Sequence, residues 1–198
     1  MSVIPTEEEC LRILIEEGAD SNVIEHCCAV KEVAKRIGEC CGANIELVIA
    51  GALLHDIGRT RTHGVDHVIE GMKIAMKRNL PTDIVRIIQR HLGAGLTEKE
   101  AELLGFPPGI YMPETLEEKI VTHADNLVDD KGVRTVWDAS ADFERRGLLD
   151  AAKRMRLMHE ELSRLCGKDI DELLFPLRKR MKLSGLCSEY TSPQGMNP

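Results

Sequence analysis

The segment IELVIAGALLHDIG, residues 45–58, is the most informative stretch of the chain. Its first ten residues are apolar on nearly every side of a helix, which is the pattern of a helix buried in the middle of a bundle. The run ends in His55 and Asp56, and Gly58 is a natural stop for the helix. A carboxylate at this position is desolvated and lies at the negative end of the helix dipole. Asp56 therefore requires a compensating cation.

That cation can be an arginine or a metal ion. The adjacent His55 favours the metal ion, because an imidazole and a carboxylate together are a common donor pair for hard-to-borderline metals. Three more side chains of the same kind lie on inward-facing helical stripes: His26, His91 and Asp125. Each histidine taken singly is more often a core or surface residue than a ligand. Together these residues are predicted to converge on one interior.

Apolar residues recur at helical spacing almost throughout, and no segment alternates as a strand would, so the predicted fold class is all-α. We predict a single helical domain over residues 1–183, with a metal-binding core at about 20–130, C-terminal helices at about 147–183 and a flexible tail at 184–198. The predicted helices span about residues 6–17, 21 or 22 to 37, 45–57, 67–78, 82–92, 97–104, 115–130, 147–166 and 169–183. The proline-rich stretch 105–113 is predicted to be a loop and a possible lid.

Composition narrows the classes of function. The chain has 198 residues and a net charge of -7, which argues against a surface that binds nucleic acid in general. A phosphate-sized anion would need a local positive site. The seven cysteines include no CxxC pair and predict no disulfide framework, and the chain shows neither a signal peptide nor a membrane-length apolar run. We therefore expect a cytoplasmic protein with no membrane partner, for which a homo-oligomer is compatible with the sequence.

The order of these residues resembles a known family. His26, then HDIG at residues 55–58, then Asp125 in KIVTHAD is the pattern of the HD-domain metal-dependent phosphohydrolase superfamily, and the match covers about residues 20–130. The resemblance implies an HD-type helical bundle in which His26, His55, Asp56 and Asp125 chelate a divalent metal ion.

The resemblance extends to the two-metal subgroup, which includes HD-type diadenosine tetraphosphate hydrolases. His67 in HVIEGMKIA and His91 in QRHLGAG match the additional ligands of that subgroup, where the residue matching Asp56 bridges two metals. The GYP signature of cyclic dinucleotide phosphodiesterases is absent. His63, four residues before His67, is the alternative ligand.

Other residues are assigned with their alternatives beside them. Arg59 follows HDIG and is predicted to bind substrate phosphate, because arginine pairs well with phosphate and does not act as an acid at neutral pH; the alternative is a solvated basic turn. Gly93 and Gly95 would let backbone approach a phosphate, or they form a helix cap. Phe106 and Tyr111 would stack on a base, or they only bury their loop. His123 is predicted to be second-sphere or surface, and His159 is given no role.

The function predicted from these residues is that of a hydrolase. Asp56 and Arg59 are the catalytic candidates in the cleavage of a phosphomonoester, phosphodiester or phosphoanhydride of a nucleotide-like small molecule by a metal-activated water. With imidazole and carboxylate donors, one or two Fe, Mn or Co-type ions fit better than structural zinc, and Mg is possible. Two other classes stay open, a metal-dependent nucleotide sensor without turnover and a di-iron oxygenase of the HD type.

Overall fold

Ten helices and one short hairpin make up the part of the chain that the computed structural model describes, which is residues 3–180 and Cys187. The helices are α1 Glu7–Glu16, α2 Ser21–Cys41, α3 Ile45–Leu54, α4 His67–Lys77, α5 Thr82–Arg90, α6 Glu98–Leu103, α7 Leu116–Asn126, α8 Val136–Arg145, α9 Leu149–Cys166 and α10 Ile170–Arg180. A 3-10 turn, Ile57–Thr60, follows α3, and β1 Val128–Asp129 pairs antiparallel with β2 Gly132–Val133. The all-α prediction is confirmed.

Helix α3 is the centre of the bundle and packs against α1, α2, α5 and α7. Gly51 allows the close approach of α5, because a Cβ atom there would lie 2.5 Å from the Ile87 side chain. Gly58 does the same for α4, since its Cβ would lie 1.8 Å from the His67 carbonyl oxygen. These two glycines bring the ends of three helices together at one place.

Threonines cap three helices at the predicted start positions 6, 97 and 115. Thr6, Thr97 and Thr115 each form a reciprocal capping box with the glutamate three residues later, which satisfies amides that the first helical turn leaves without partners. The loop 105–113 also forms as predicted.

Two helix ends and one additional helix differ from the prediction. Helix α3 ends at Leu54, because Asp56 adopts a non-helical backbone conformation with φ −99° and ψ 15°. Helix α7 ends at Asn126, where the chain turns into the hairpin. Helix α8 was not predicted, although Thr135 and Asp138 mark its start with a side-chain cap.

The prediction that the cysteines form no disulfides was wrong. Cys28 is bonded to Cys187, and Cys41 is bonded to Cys166, with Cα atoms 6.4 Å and 4.3 Å apart. Sequence spacing could not indicate these pairs, because their partners lie 159 and 125 residues apart and meet only in the folded chain. The predicted flexible tail, 184–198, lies outside the described residues except for Cys187. None of the described helices has the length and apolarity needed to cross a bilayer.

Candidate metal centre

Six predicted ligand residues come from five places in the fold and meet beside the end of α3. They are His26 in α2, His55 and Asp56 directly after α3, His67 at the start of α4, His91 directly after α5 and Asp125 in α7. Four of them are buried, and His26 and Asp125 are partly exposed. The structure therefore brings the predicted set together.

Asp56 lies between two groups of histidines. Its Oδ2 atom faces the Nε2 atoms of His26 and His55, at 3.8 Å and 3.7 Å. Its Oδ1 atom faces the Nε2 atoms of His67 and His91, at 3.2 Å and 3.5 Å. One carboxylate thus presents one oxygen to each group.

Asp125 completes the first group. Its Oδ1 atom lies 3.0 Å from His26 Nε2 and 3.4 Å from His55 Nε2. Two sets of donor atoms lie close enough together to hold a metal ion, and His55 is common to both: His26, His55 and Asp125 form one, and His55, Asp56 and His91 form the other.

The orientation of three imidazoles is fixed by backbone carbonyl groups. Nδ1 lies 2.7 Å from Ala52 O in His55, 2.7 Å from Gly64 O in His67 and 2.8 Å from Ile88 O in His91. A carbonyl oxygen only accepts hydrogen bonds, so each Nδ1 carries a hydrogen atom and donates. The Nε2 lone pairs of the neutral rings then point into the centre, as metal-binding histidines require.

This arrangement leaves donor atoms in need of a cation. The Nε2 atoms of His67 and His91 are 3.0 Å apart, and two lone pairs at that distance repel unless a proton or a metal ion lies between or beside them. Nε2 of His55 and Oδ1 of Asp56 are buried without a hydrogen bond. The donor set of imidazoles and carboxylates fits a divalent metal ion such as Fe, Mn or Co.

The charges within the centre are strongly coupled. Burial by itself raises the pKa of Asp56, but the charge of His55 and the close approach of the His67 and His91 imidazoles hold that pKa well below its usual range. Burial lowers the pKa of His55, yet Asp56 and Asp125 together hold it well above 6.5. The pKa of His91 falls below 6.5 because burial dominates there.

Arg59 joins the centre to a surface cleft of about 360 Å³. Its Nε atom donates to Asp56 Oδ2 at 2.5 Å, and its Nη1 atom lies 3.5 Å from the His63 carbonyl oxygen. The guanidinium is about one-third exposed. The cleft is lined by Asp20, Asn22, Val23, His26, Asp56, Arg59 and His63.

Position in the fold favours His67 over His63 as the ligand candidate. His67 is 2% exposed and lies among the donor atoms, whereas His63 is exposed and lines the cleft. Gly93 and Gly95 both have positive φ and lie in the turn after α5, where Gly93 faces Phe143 and Gly95 faces Met112 and Pro113. Neither glycine lines the cleft, so their predicted role in phosphate binding finds no support in their placement.

The loop 105–113 is packed rather than open. Phe106 and Tyr111 are 9% and 3% exposed and pack in a small apolar cluster with Val68 and Ala101. The Tyr111 hydroxyl donates to Pro107 O at 2.9 Å. These contacts favour burial of the loop over a lid or a base-stacking surface.

The sequence did not indicate a buried ion pair that links α5 to α7. Arg90 Nη1 donates to Glu118 at 2.8 Å and to Glu114 at 2.7 Å, and Asn126 Nδ2 donates to Gly93 O. Arg90 and Glu118 are almost fully buried, so the pair ties the turn that carries His91 to the helix that carries Asp125.

The histidines outside the centre were also misjudged. His123 is fully buried, which corrects the surface alternative, and His159 is buried against it with His123 Nε2 and His159 Nδ1 3.1 Å apart. Burial lowers the pKa of His123 to about 3. The stripe of Ala152, Met155, His159 and Leu162, all buried, was the available signal.

Comparisons with known proteins agree with this geometry. The HD domain family model matches residues 23–129. The chain is 49% identical over 170 residues, 86% of its length, to a protein of Picrophilus torridus named tRNA (cytidine(56)-2'-O)-methyltransferase, but it spans only 50% of that relative's length. An uncharacterised protein of Methanocaldococcus jannaschii is 41% identical over 80% of the chain and 97% of its own length.

A solved structure has the same fold. The HD domain of the L. monocytogenes phosphodiesterase PgpH, crystallised with cyclic-di-AMP, superimposes with a TM-score of 0.54 at 19% identity, covering 87% of this chain and 99% of that one. The family match extends over more than half of the chain and ends just beyond Asp125. On these grounds the chain is a member of the HD-domain family.

Proposed function

We propose that the chain is a metal-dependent phosphohydrolase that cleaves a phosphate ester or anhydride bond of a nucleotide-like substrate. The observation that carries the proposal is the placement of Asp56, whose two oxygens face two separate groups of histidine Nε2 atoms. A carboxylate so placed is suited to bridge two divalent ions, one held by His26, His55 and Asp125 and the other by His67 and His91.

Bound divalent ions would supply a hydroxide at neutral pH and polarise the phosphoryl group. The protein's own part is to hold the carboxylate and imidazole donors in fixed positions, through the backbone carbonyl groups that fix each Nδ1. Arg59 is tied to Asp56 through Nε, which leaves Nη2 without a hydrogen bond to any described residue. We assign Arg59 to the non-bridging phosphate oxygens, where its charge stabilises the negative charge that develops during attack.

Two relatives support a nucleotide-like substrate. One solved HD domain binds cyclic-di-AMP, and one sequence relative carries the matching unit within a polypeptide named for a tRNA methyltransferase. We therefore propose a substrate that is a nucleotide or part of an RNA.

The test is reconstitution followed by turnover. Chelator-treated protein should show no release of phosphate or nucleoside from a panel of nucleotides, and addition of Mn²⁺, Fe²⁺ or Co²⁺ should restore it together with about two bound ions per chain. Turnover that requires oxygen would favour the oxygenase, and tight nucleotide binding by the loaded protein without product would favour the sensor.

Arg59 offers a sharper version of this test, with a matched control two residues away. Arg59→Ala should reduce kcat/KM by roughly 100-fold, in the range typical of a lost phosphate clamp, when it is measured at saturating Mn²⁺, because Arg59 also bonds the metal-ligand candidate Asp56. Arg61→Ala should have little effect on kcat/KM, because Arg61 pairs with Glu17 and does not line the cleft. Equal effects of the two substitutions would contradict the assignment of Arg59.

A further inference from the structure

The rim of the metal-centre cleft contains polar side chains that no step of the proposed hydrolysis uses. The cleft is lined by two segments: the start of α2 supplies Asp20, Asn22 and Val23, and the segment after α3 supplies Arg59 and His63, above the floor formed by the metal-centre residues. The rim thus combines one carboxylate and one amide with one guanidinium and one imidazole. Its composition bears on which substrates fit.

Apart from the proposed metal ions, the cleft has one permanently cationic side chain among the residues that the structure describes. Among the described residues that line it, Arg59 is the single guanidinium or ammonium group. The nearby Arg61 and Arg78 are paired with Glu17, and Arg78 also with Glu16. One guanidinium matches one phosphoryl group, because its fork of donors pairs with the oxygens of a single phosphate.

Asp20 would oppose a second phosphate. Its Oδ1 atom accepts a hydrogen bond from Val23 N at 2.9 Å and so caps α2, while Oδ2 has no hydrogen bond to any described residue. A carboxylate oxygen only accepts, so it is suited to a hydroxyl donor and repels a phosphate. Asp56 lies on the floor of the same cleft, and its buried Oδ1 atom has no hydrogen bond to a described residue. This independent observation indicates that the cleft leads to polar atoms that a ligand can pair.

The cleft is also small. At about 360 Å³ it lies near the lower end of the roughly 300–1,000 Å³ that ligand pockets occupy. One nucleotide unit fits a cleft of this volume, whereas a substrate with two nucleosides would extend beyond it into solvent.

We infer that Asp20 is a specificity-determining residue, which selects a substrate with one phosphoryl group beside a sugar hydroxyl and rejects polyphosphates. The inference rests on the proposed function for its site and adds the substrate class. Two sources carry this chemistry, a free nucleoside monophosphate and the terminal nucleotide of an RNA chain.

Asp20→Asn is the informative variant, because asparagine caps a helix as well as aspartate does and only the charge is removed. Ser21→Ala is the matched control, since Ser21 is the neighbouring exposed residue and does not line the cleft. Titration calorimetry of the Mn²⁺-loaded proteins would use AMP, its 2'-deoxy and 3'-deoxy forms, ATP and diadenosine tetraphosphate. Product release would be measured for the same set and for a short oligoribonucleotide.

The wild-type protein should bind AMP at least about tenfold more tightly than ATP or diadenosine tetraphosphate, and one deoxy form should bind about tenfold more weakly than AMP. Asp20→Asn should remove most of both preferences, and Ser21→Ala should keep them. Tighter binding of the polyphosphates to the wild-type protein, or unchanged preferences in Asp20→Asn, would overturn the inference. Because binding is measured apart from turnover, a protein with these preferences but no product would refute the hydrolase and leave the specificity standing. Turnover of AMP or of the oligoribonucleotide would identify the source.

Discussion

Buried histidines form two groups in this molecule, the metal centre and the pair of His123 and His159. The two groups differ in the partners of their hydrogen bonds. In the metal centre, three rings donate Nδ1–H to backbone carbonyl groups and turn bare Nε2 atoms toward Asp56. In the second group, His123 and His159 bond to each other, and His159 Nε2 lies 3.5 Å from Asp169. The first group converges on donor atoms that have no hydrogen bond to a described residue, whereas the second forms a chain that runs outward to an exposed carboxylate.

The second group also has a carboxylate that already has partners. Asp171 lies near His159 and Asp169, but it pairs with Arg178 at 2.9 Å and accepts from Val136 N. His159, Asp169 and Asp171 lie close enough together to hold a metal ion, but within the described part of the chain the metal centre alone combines ring nitrogens fixed by backbone carbonyl groups with inward-facing donor atoms that have no protein partner. Burial alone does not distinguish the two groups.

The largest effect is expected from removing the bridge. Asp56→Ala should abolish metal retention and turnover. The carboxylate of Asp56 is the counter-charge shared by the His26 and His55 side and the His67 and His91 side of the metal centre. The loss of metal affinity should exceed the roughly 10–100-fold that a change outside the ligand set causes. Elemental analysis of the purified variant and product release would measure it, with circular dichroism as the control for folding.

A smaller change, His91→Ala, should remove one of the two histidines, His67 and His91, that would hold the second ion. About one ion per chain should remain. Metal retained at the wild-type level in Asp56→Ala would refute the site.

An intermediate effect is expected in the pH dependence of metal binding. Burial lowers the pKa of His55, but Asp56 and Asp125 raise it well above 6.5, which favours the protonated form of His55 in the metal-free protein. A metal ion must displace that proton, so metal affinity should rise with pH until the raised pKa is passed. Calorimetry at pH 7 in two buffers of different ionisation enthalpy should detect proton release.

The metal-free protein should respond to pH in the opposite sense. The raised pKa of His55 contributes stability that is fully present below pH 6.5 and is lost as the pH rises through the folded pKa. The lowered pKa values of Asp56 and Asp125 contribute stability above pH 3.8 that is lost as the pH falls through their folded values. Thermal unfolding of chelator-treated protein should therefore show its largest stability between these limits; a monotonic rise to pH 9 would contradict this.

The smallest effect on function is expected from the second histidine group. His159→Ala should leave metal content and turnover unchanged and lower the free energy of unfolding by about 1–3 kcal/mol, because it strands the buried His123 ring. Denaturant unfolding would measure the loss. Reduced metal content in this folded variant would show that the two groups are not independent.

Much of the centre could be predicted because it depends on local signals. The apolar run before His55 and Asp56, the caps at three threonines and the stripe that carries His91 each identify a helix and its inward face. His63 and His67 lie four residues apart, and local sequence signals do not distinguish them. The resemblance to a family selected His67. What failed depended on contacts between distant segments: the two disulfides, the Arg90–Glu118 pair and the burial of His123.

The rim of the cleft lay beyond prediction for a related reason. Asp20 is visible in the sequence as a helix cap, and nothing local shows that the same residue borders a cleft formed with Arg59.

The Cys41–Cys166 bond has a consequence for how the molecule tolerates damage. It joins the end of α2 to the end of α9, so the 125-residue span between the two cysteines forms a covalent ring that contains five of the six predicted metal ligands. A single break in the backbone of that ring leaves one connected molecule, and the fragments separate only after reduction. These five predicted ligands are thus enclosed within a closed loop of chain, and one protease cut cannot release them.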